Sequence, residues 1–220
     1  MVIFSDLSEV HVKGMLKLYE RVQAKYGPIG GEWFSRRKQR MEPILQDAMR
    51  GTMTMRSYWE IFCEDTENSA KIKAEELEEL FLEEIRGKLA DPATEVLRSI
   101  KAYPHSFRNA DQEIIRGCPQ IVMVSDHFRE CKSILKESHP EVFSLFSREI
   151  WSFRCHKIKS DPSFFGRLLF DMNLRARDVL FIDDLPMNCL SACRAGIKTV
   201  RYTNSFDLKS WLKSNHFVLG

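Results

Sequence analysis

Val179-Leu180-Phe181-Ile182-Asp183-Asp184 is an apolar run of strand length that ends in two adjacent carboxylates. Acids at the C-terminal end of a parallel strand lie at the edge where open α/β sheets bind ligands. Hard oxygen donors of this kind suit Mg²⁺, which takes one or two carboxylates and fills its shell with water and phosphate oxygens. The same design opens the chain, where Met1-Val2-Ile3-Phe4 runs into Ser5-Asp6. It returns where Ile121-Val122-Met123-Val124 runs into Ser125-Asp126. Apolar strands that each deliver polar groups at one end predict a single site assembled from distant parts of the chain.

Beyond residue 119 the pattern predicts strands near 119–124, 148–152, 178–182 and 197–202, alternating with helices near 127–137, 162–172, 187–195 and 206–214. Such alternation means parallel βαβ units with helices on both sheet faces. The strand at 1–5 joins this sheet, because alone it can neither pair its backbone nor bury its side chains. Between lie stretches of helical character at 13–25, 32–49, 53–64, 73–87 and 92–101. Tyr26-Gly27-Pro28-Ile29-Gly30-Gly31 reads as a turn that breaks the first of them, and Asp91-Pro92 as an N-cap and first helical residue. The expected fold is α/β: a Rossmann-like, three-layer parallel sheet formed by 1–12 and 104–220. Residues 13–103 are an inserted α-helical cap over the carboxyl end of the strands.

A chain of 220 residues with 44% hydrophobic residues can bury a full core. Its formal net charge of +2 gives no basic footprint for nucleic acid. Arg36-Arg37-Lys38 and Arg40 read as a solvated helix face. No apolar run reaches the length of a membrane span, and the first residues lack the basic and apolar regions of a signal peptide. The six cysteines include no CxxC pair and read as reduced thiols. The expected setting is cytoplasmic, without nucleic-acid or membrane partners.

Phosphoryl transfer needs a nucleophile, a cation for the phosphate charge and donors for its oxygens. Asp6 can serve as a covalent nucleophile, and Mg²⁺ held by Asp6, Asp183 and Asp184 would offset its repulsion from an anionic substrate. Ser125 can donate to a phosphoryl oxygen. Lys159, in Lys159-Ser160-Asp161-Pro162, can bring positive charge from a turn fixed by Asp161 as N-cap and Pro162 at the first helical position.

These segments resemble the motifs of the haloacid dehalogenase-like hydrolases over nearly the whole chain. Ile3-Phe4-Ser5-Asp6-Leu7-Ser8-Glu9-Val10 is similar to the family's first motif, and Val122-Met123-Val124-Ser125-Asp126 to its second. Lys159-Ser160-Asp161-Pro162 resembles the third, and Phe181-Ile182-Asp183-Asp184-Leu185-Pro186-Met187-Asn188 the fourth, followed by the Ala195-Gly196-Ile197 step into the last strand. The most similar branch contains bacterial glucose-1-phosphate phosphatase and epoxide-hydrolase N-terminal phosphatase domains. It carries a helical cap after the first motif, and Gly51-Thr52-Met53-Thr54 is similar to the turn between its cap helices.

The resemblance implies a Mg²⁺-dependent phosphomonoester hydrolase acting on a small phosphorylated metabolite. Asp6 would be nucleophile and metal ligand, Ser125 and Lys159 would bind phosphate beside Asp126, and Asn188 would orient the fourth-motif loop. Asp183, Asp184 and the backbone carbonyl of Ser8 would complete the metal site, with Asp184 in direct contact. The chain departs from the pattern at Ser8, where most members carry a second Asp as general acid and base, at Glu9 and at Asp126. Glu9 or His11 could take over proton transfer, although His11 reads more simply as packed or solvated. Two alternatives follow from these departures: a metal-independent 2-haloacid dehalogenase, and a family-fold protein that has lost turnover and binds or regulates. Trp33, Phe34, Trp59 and Phe62 read as helix-packing core in the cap, with a substrate pocket as the other reading.

Overall fold

The computed structural model describes residues 1–13, 17–87, 89–102, 105–108, 114–215 and 217. Five parallel strands form the central sheet, in the order Arg148–Trp151, Gln120–Ser125, Val2–Ser5, Val179–Asp183, Lys198–Arg201. The α/β class expected from the sequence is therefore present, with the first strand at the centre. Every residue of Val2–Ser5 and Val179–Asp183 is buried, as strands covered on both faces require.

Alternate side chains feed two cores, because successive residues of a strand point to opposite faces. Ile3, Ile121, Leu180 and Ile182 pack with Leu208 and Leu212 on one face. Phe4, Val122 and Phe181 pack with Phe165, Leu168 and Ala192 on the other. The helix Ala93–Lys101, which the sequence reading assigns to the inserted segment, buries Ala93, Leu97 and Ile100 in the first of these sheet-side cores. The expected boundary at 103/104 lies outside the described residues, as do Met15 and Leu16.

The segment expected to form the cap holds the helices Leu18–Arg40, Glu42–Met49, Met55–Cys63 and Ala74–Arg86. The glycine-rich stretch does not form the expected turn. Gly27, at φ 73° and ψ −177°, kinks a helix that then continues to Arg40. Glycine adopts this backbone without the Cβ clash of other residues, and Pro28 restarts the helix where its missing N–H costs nothing. Trp33, Phe34, Tyr58, Trp59, Phe62 and Phe81 bury themselves together, and the same core takes in Phe128, Trp151 and Phe153 from the sheet side. Cap and core thus share apolar contacts.

Polar contacts clasp the two as well. Arg50 donates through Nε and Nη2 to both oxygens of Asp161, at 3.1 and 2.6 Å. Ser152 Oγ donates to the carbonyl of Met49 at 2.7 Å. Gly51, at φ 80°, follows on the turn that Thr54 ends by capping Ser57 N at 3.0 Å. A Cβ at Gly51 would meet the carbonyl oxygen of Phe153 at 2.9 Å, so the backbone approach depends on glycine. Two short antiparallel ribbons, Val12–Lys13 with Leu89–Ala90 and His105–Arg108 with Ile114–Gly117, were not legible in the sequence. No described helix is long and apolar enough to cross a membrane.

His11 is packed, as the simpler reading expected. It is fully buried, shares a hydrogen bond with Ser5 Oγ at 2.9 Å and another with Thr94 Oγ1 at 3.0 Å, and meets the Phe146 ring edge-on. It ties the chain leaving the central strand to the helix Ala93–Lys101. Burial lowers its pKa from 6.5 to about 3. The unfolded chain therefore binds a proton below about pH 6.5 that the folded chain refuses. The stability that the neutral ring supports is complete above that pH and is lost as pH falls toward 3, by about 1.4 kcal/mol per unit. The stability difference between wild type and His11→Gln, measured by urea denaturation at about pH 7 and about pH 5, should shrink at the lower pH, because the substitution removes this contribution and leaves the other titrating groups in place.

Candidate active site

The carboxyl edge of the sheet gathers the polar ends of its strands. Asp6 follows Val2–Ser5, and its N–H continues the ladder by donating to Ile182 O at 2.9 Å. That places Asp6 beside Asp183, the last residue of the neighbouring strand, at the point where the strand order reverses. Lys159 reaches between them: its Nζ lies 2.7 Å from Asp6 Oδ1 and 2.7 Å from Asp183 Oδ2. All three are almost wholly buried.

Each partner is further fixed. Asp6 Oδ1 also accepts from Leu7 N at 2.8 Å. Asp183 Oδ1 accepts from Leu185 N at 2.8 Å and from Asn188 Nδ2 at 3.0 Å. Asn188 thus ties the helix Pro186–Arg194 back to the end of the strand. Asp126 holds the loop of Lys159 by accepting from its backbone N–H at 3.1 Å. Asp161 is not the N-cap expected of it, for the helix begins at Phe164. Its carboxylate accepts from Ile158 N at 3.0 Å and from Arg50, so it pins the loop from the other side.

Burial raises the Asp6 pKa, Lys159 opposes the rise, and Asp183 adds to it. Burial likewise pushes Asp126 up to about 6 against the pull of Lys159. Burial disfavours the Lys159 ammonium, yet Asp183, Asp6 and Asp126 together hold its pKa above that of an ordinary lysine. Burial and then the Asp183 charge raise Asp184. The site carries more negative charge than one lysine offsets, which is the condition for taking up a further cation.

Asp6, Asp183 and Asp184 offer carboxylate oxygens within 4.8 Å of one another. This hard donor set, at the mouth of the sheet, fits Mg²⁺. Ser125 is 1% exposed, and its Oγ has no hydrogen-bond partner among the described residues. A buried hydroxyl without a partner is costly unless a ligand oxygen completes it.

Ser8, where the resemblance implies a second Asp, is paired with a histidine. Ser8 Oγ shares a 2.6 Å hydrogen bond with His127 Nε2. His127 is buried, and its backbone N–H donates to Ser152 Oγ at 3.3 Å. Sequence reasoning missed His127; its place two residues after Ser125 was the available signal. Glu9 sits at φ 59° and, with Ser8 and His127, lines a cavity above the site.

That cavity, of about 490 Å³, runs from Asp6, Asp126, Lys159 and Asp184 into the cap. Phe34, Trp59 and Phe62 line it, so for these three the packing and pocket readings both hold, whereas Trp33 is not among its walls.

No protein-family model matches the chain, and no curated protein matches it in sequence. Solved structures do match in fold. A HAD family enzyme from Bacteroides thetaiotaomicron, in complex with magnesium, superposes with a TM-score of 0.65 at 15% identity, over 96% of this chain and 98% of that one. A predicted HAD-like family hydrolase from Porphyromonas gingivalis gives 0.62 at 17% identity, over 96% and 95%. The L-2-haloacid dehalogenase from Xanthobacter autotrophicus, with chloropropionic acid covalently bound, gives 0.62 at 11% identity, over 99% and 85%.

Replacing Lys159 by Met leaves the buried Asp6 and Asp183 facing each other without their shared cation. The expected cost is about 3–5 kcal/mol, the range for breaking a buried ion pair from one side. Urea denaturation of Lys159→Met against wild type measures it.

Proposed function

We propose that this chain, which has the fold of the haloacid dehalogenase-like hydrolases, is a Mg²⁺-dependent phosphomonoesterase acting on a small phosphorylated metabolite. The observation that carries this reading is the convergence of Asp6, Asp183 and Asp184 within 4.8 Å beside a cavity that Asp6 and Asp184 line. Six free cysteines suit a reducing cytoplasm as its setting.

Asp6, fixed through Oδ1 by Leu7 N and Lys159, presents its carboxylate to the substrate phosphorus. Attack forms an aspartyl-phosphate and breaks the bond to the leaving oxygen. Water then attacks the phosphorus, frees inorganic phosphate and restores the carboxylate, and over both steps one water proton ends on the released alcohol. The Ser125 hydroxyl and the Lys159 ammonium receive the phosphoryl oxygens. Mg²⁺, when held by the three carboxylates and the Ser8 carbonyl, supplies the charge that offsets repulsion between Asp6 and the anion. The cap walls exclude bulk water from the intermediate.

Ser8 also favours a second reading. A 2-haloacid dehalogenase needs the same nucleophile and no second Asp or metal, and the match to a dehalogenase carrying a covalently bound substrate is consistent with that chemistry. Loss of turnover, with retained binding, is the third.

Phosphate release from a panel of aryl and sugar phosphates, with Mg²⁺ and with EDTA, separates them. Metal-dependent release is expected, and Asp6→Asn should reduce it by at least about 10³-fold. Chloride release from 2-chloropropionate that survives EDTA would instead establish the dehalogenase.

A further inference from the structure

The walls of the cavity point to the leaving group. Phe34, Tyr58, Trp59, Phe81 and Phe128 surround it, and Tyr58, Trp59, Phe81 and Phe128 meet one another at ring-centroid distances of 4.9 to 5.8 Å. Among the described residues, the cap contributes Lys38, Glu42 and Gln46 as its only non-aromatic polar side chains in the lining. A sugar would strand most of its hydroxyls against carbon there, each at the cost of an unmade hydrogen bond. An aromatic ring would instead gain edge and face contacts.

Ser8 points the same way independently. Its side chain offers a hydroxyl where an acid would protonate a departing alkoxide, and its partner is His127. A phenolate needs that proton far less, since phenols ionise near 10 and water near 15.7.

We infer that the substrate is a monoaryl phosphate of one or two rings, its phosphate at Asp6 and its ring in the aromatic cavity of the cap. This rests on the phosphatase reading above. Three measurements test it: kcat/KM for phenyl, 2-naphthyl, glycerol and sugar phosphates; the same values for Phe34→Gln; and quenching of tryptophan fluorescence by 2-naphthol, the product alcohol. The expected result is a preference of at least about tenfold for 2-naphthyl over sugar phosphate, with a lower KM for naphthyl than for phenyl. Phe34→Gln should raise KM for the naphthyl ester more than for glycerol phosphate.

A preference for sugar or glycerol phosphates would overturn the inference and leave the phosphatase reading standing. Saturable quenching by 2-naphthol without turnover of any ester would do the opposite: the aromatic site would stand and the phosphatase would fall. Absence of 2-naphthol binding to wild-type protein overturns the inference even if Phe34→Gln fails to fold.

Discussion

One buried ammonium organises this molecule. Lys159 Nζ sits 2.7 Å from the carboxylates of Asp6 and Asp183, at the ends of neighbouring strands. Sheet pairing forces those acids together, and without a cation between them their repulsion would oppose the register that pairs Ser5 with Ile182. The lysine therefore must arrive, and much of the surrounding structure exists to bring it. Asp126 and Asp161 hold its loop from two sides, and Asn188 turns Asp183 toward it. Site and fold are here one electrostatic problem, solved by a loop rather than by an element of the sheet.

The strands and their acidic ends were legible because they are local. A fully buried strand reads as an apolar run, and a polar residue at its end marks the edge of the sheet. Asp6, Ser125, Asp183 and Asp184 could all be placed on that basis, and Lys159 through the turn that carries it. The cap helices were legible in the same way, from a period close to 3.6 residues, except that the helix expected over 32–49 is broken at Met41.

What the sequence concealed is non-local or too short to have a period. The Ser8–His127 bond joins residues 119 apart, and Arg50 meets Asp161 across 111. The ribbon between Val12–Lys13 and Leu89–Ala90 has two residues on each side, too few to show alternation. At Gly27-Pro28 the local signal was real, since the backbone does leave the helical region, but the helix resumes because its far half buries Trp33 and Phe34. Tertiary burial overrode a breaker that would have ended an isolated helix.

The clasp between Arg50 and Asp161 has a mechanical meaning. Asp161 belongs to the loop that delivers Lys159, while Arg50 closes a cap helix, so one ion pair spans both parts of the molecule. Parting the two at this point would break a two-point ion pair whose acid also accepts from Ile158 N, next to Lys159. The helix that ends at Arg50 and the loop that carries the lysine are thereby fastened as one unit.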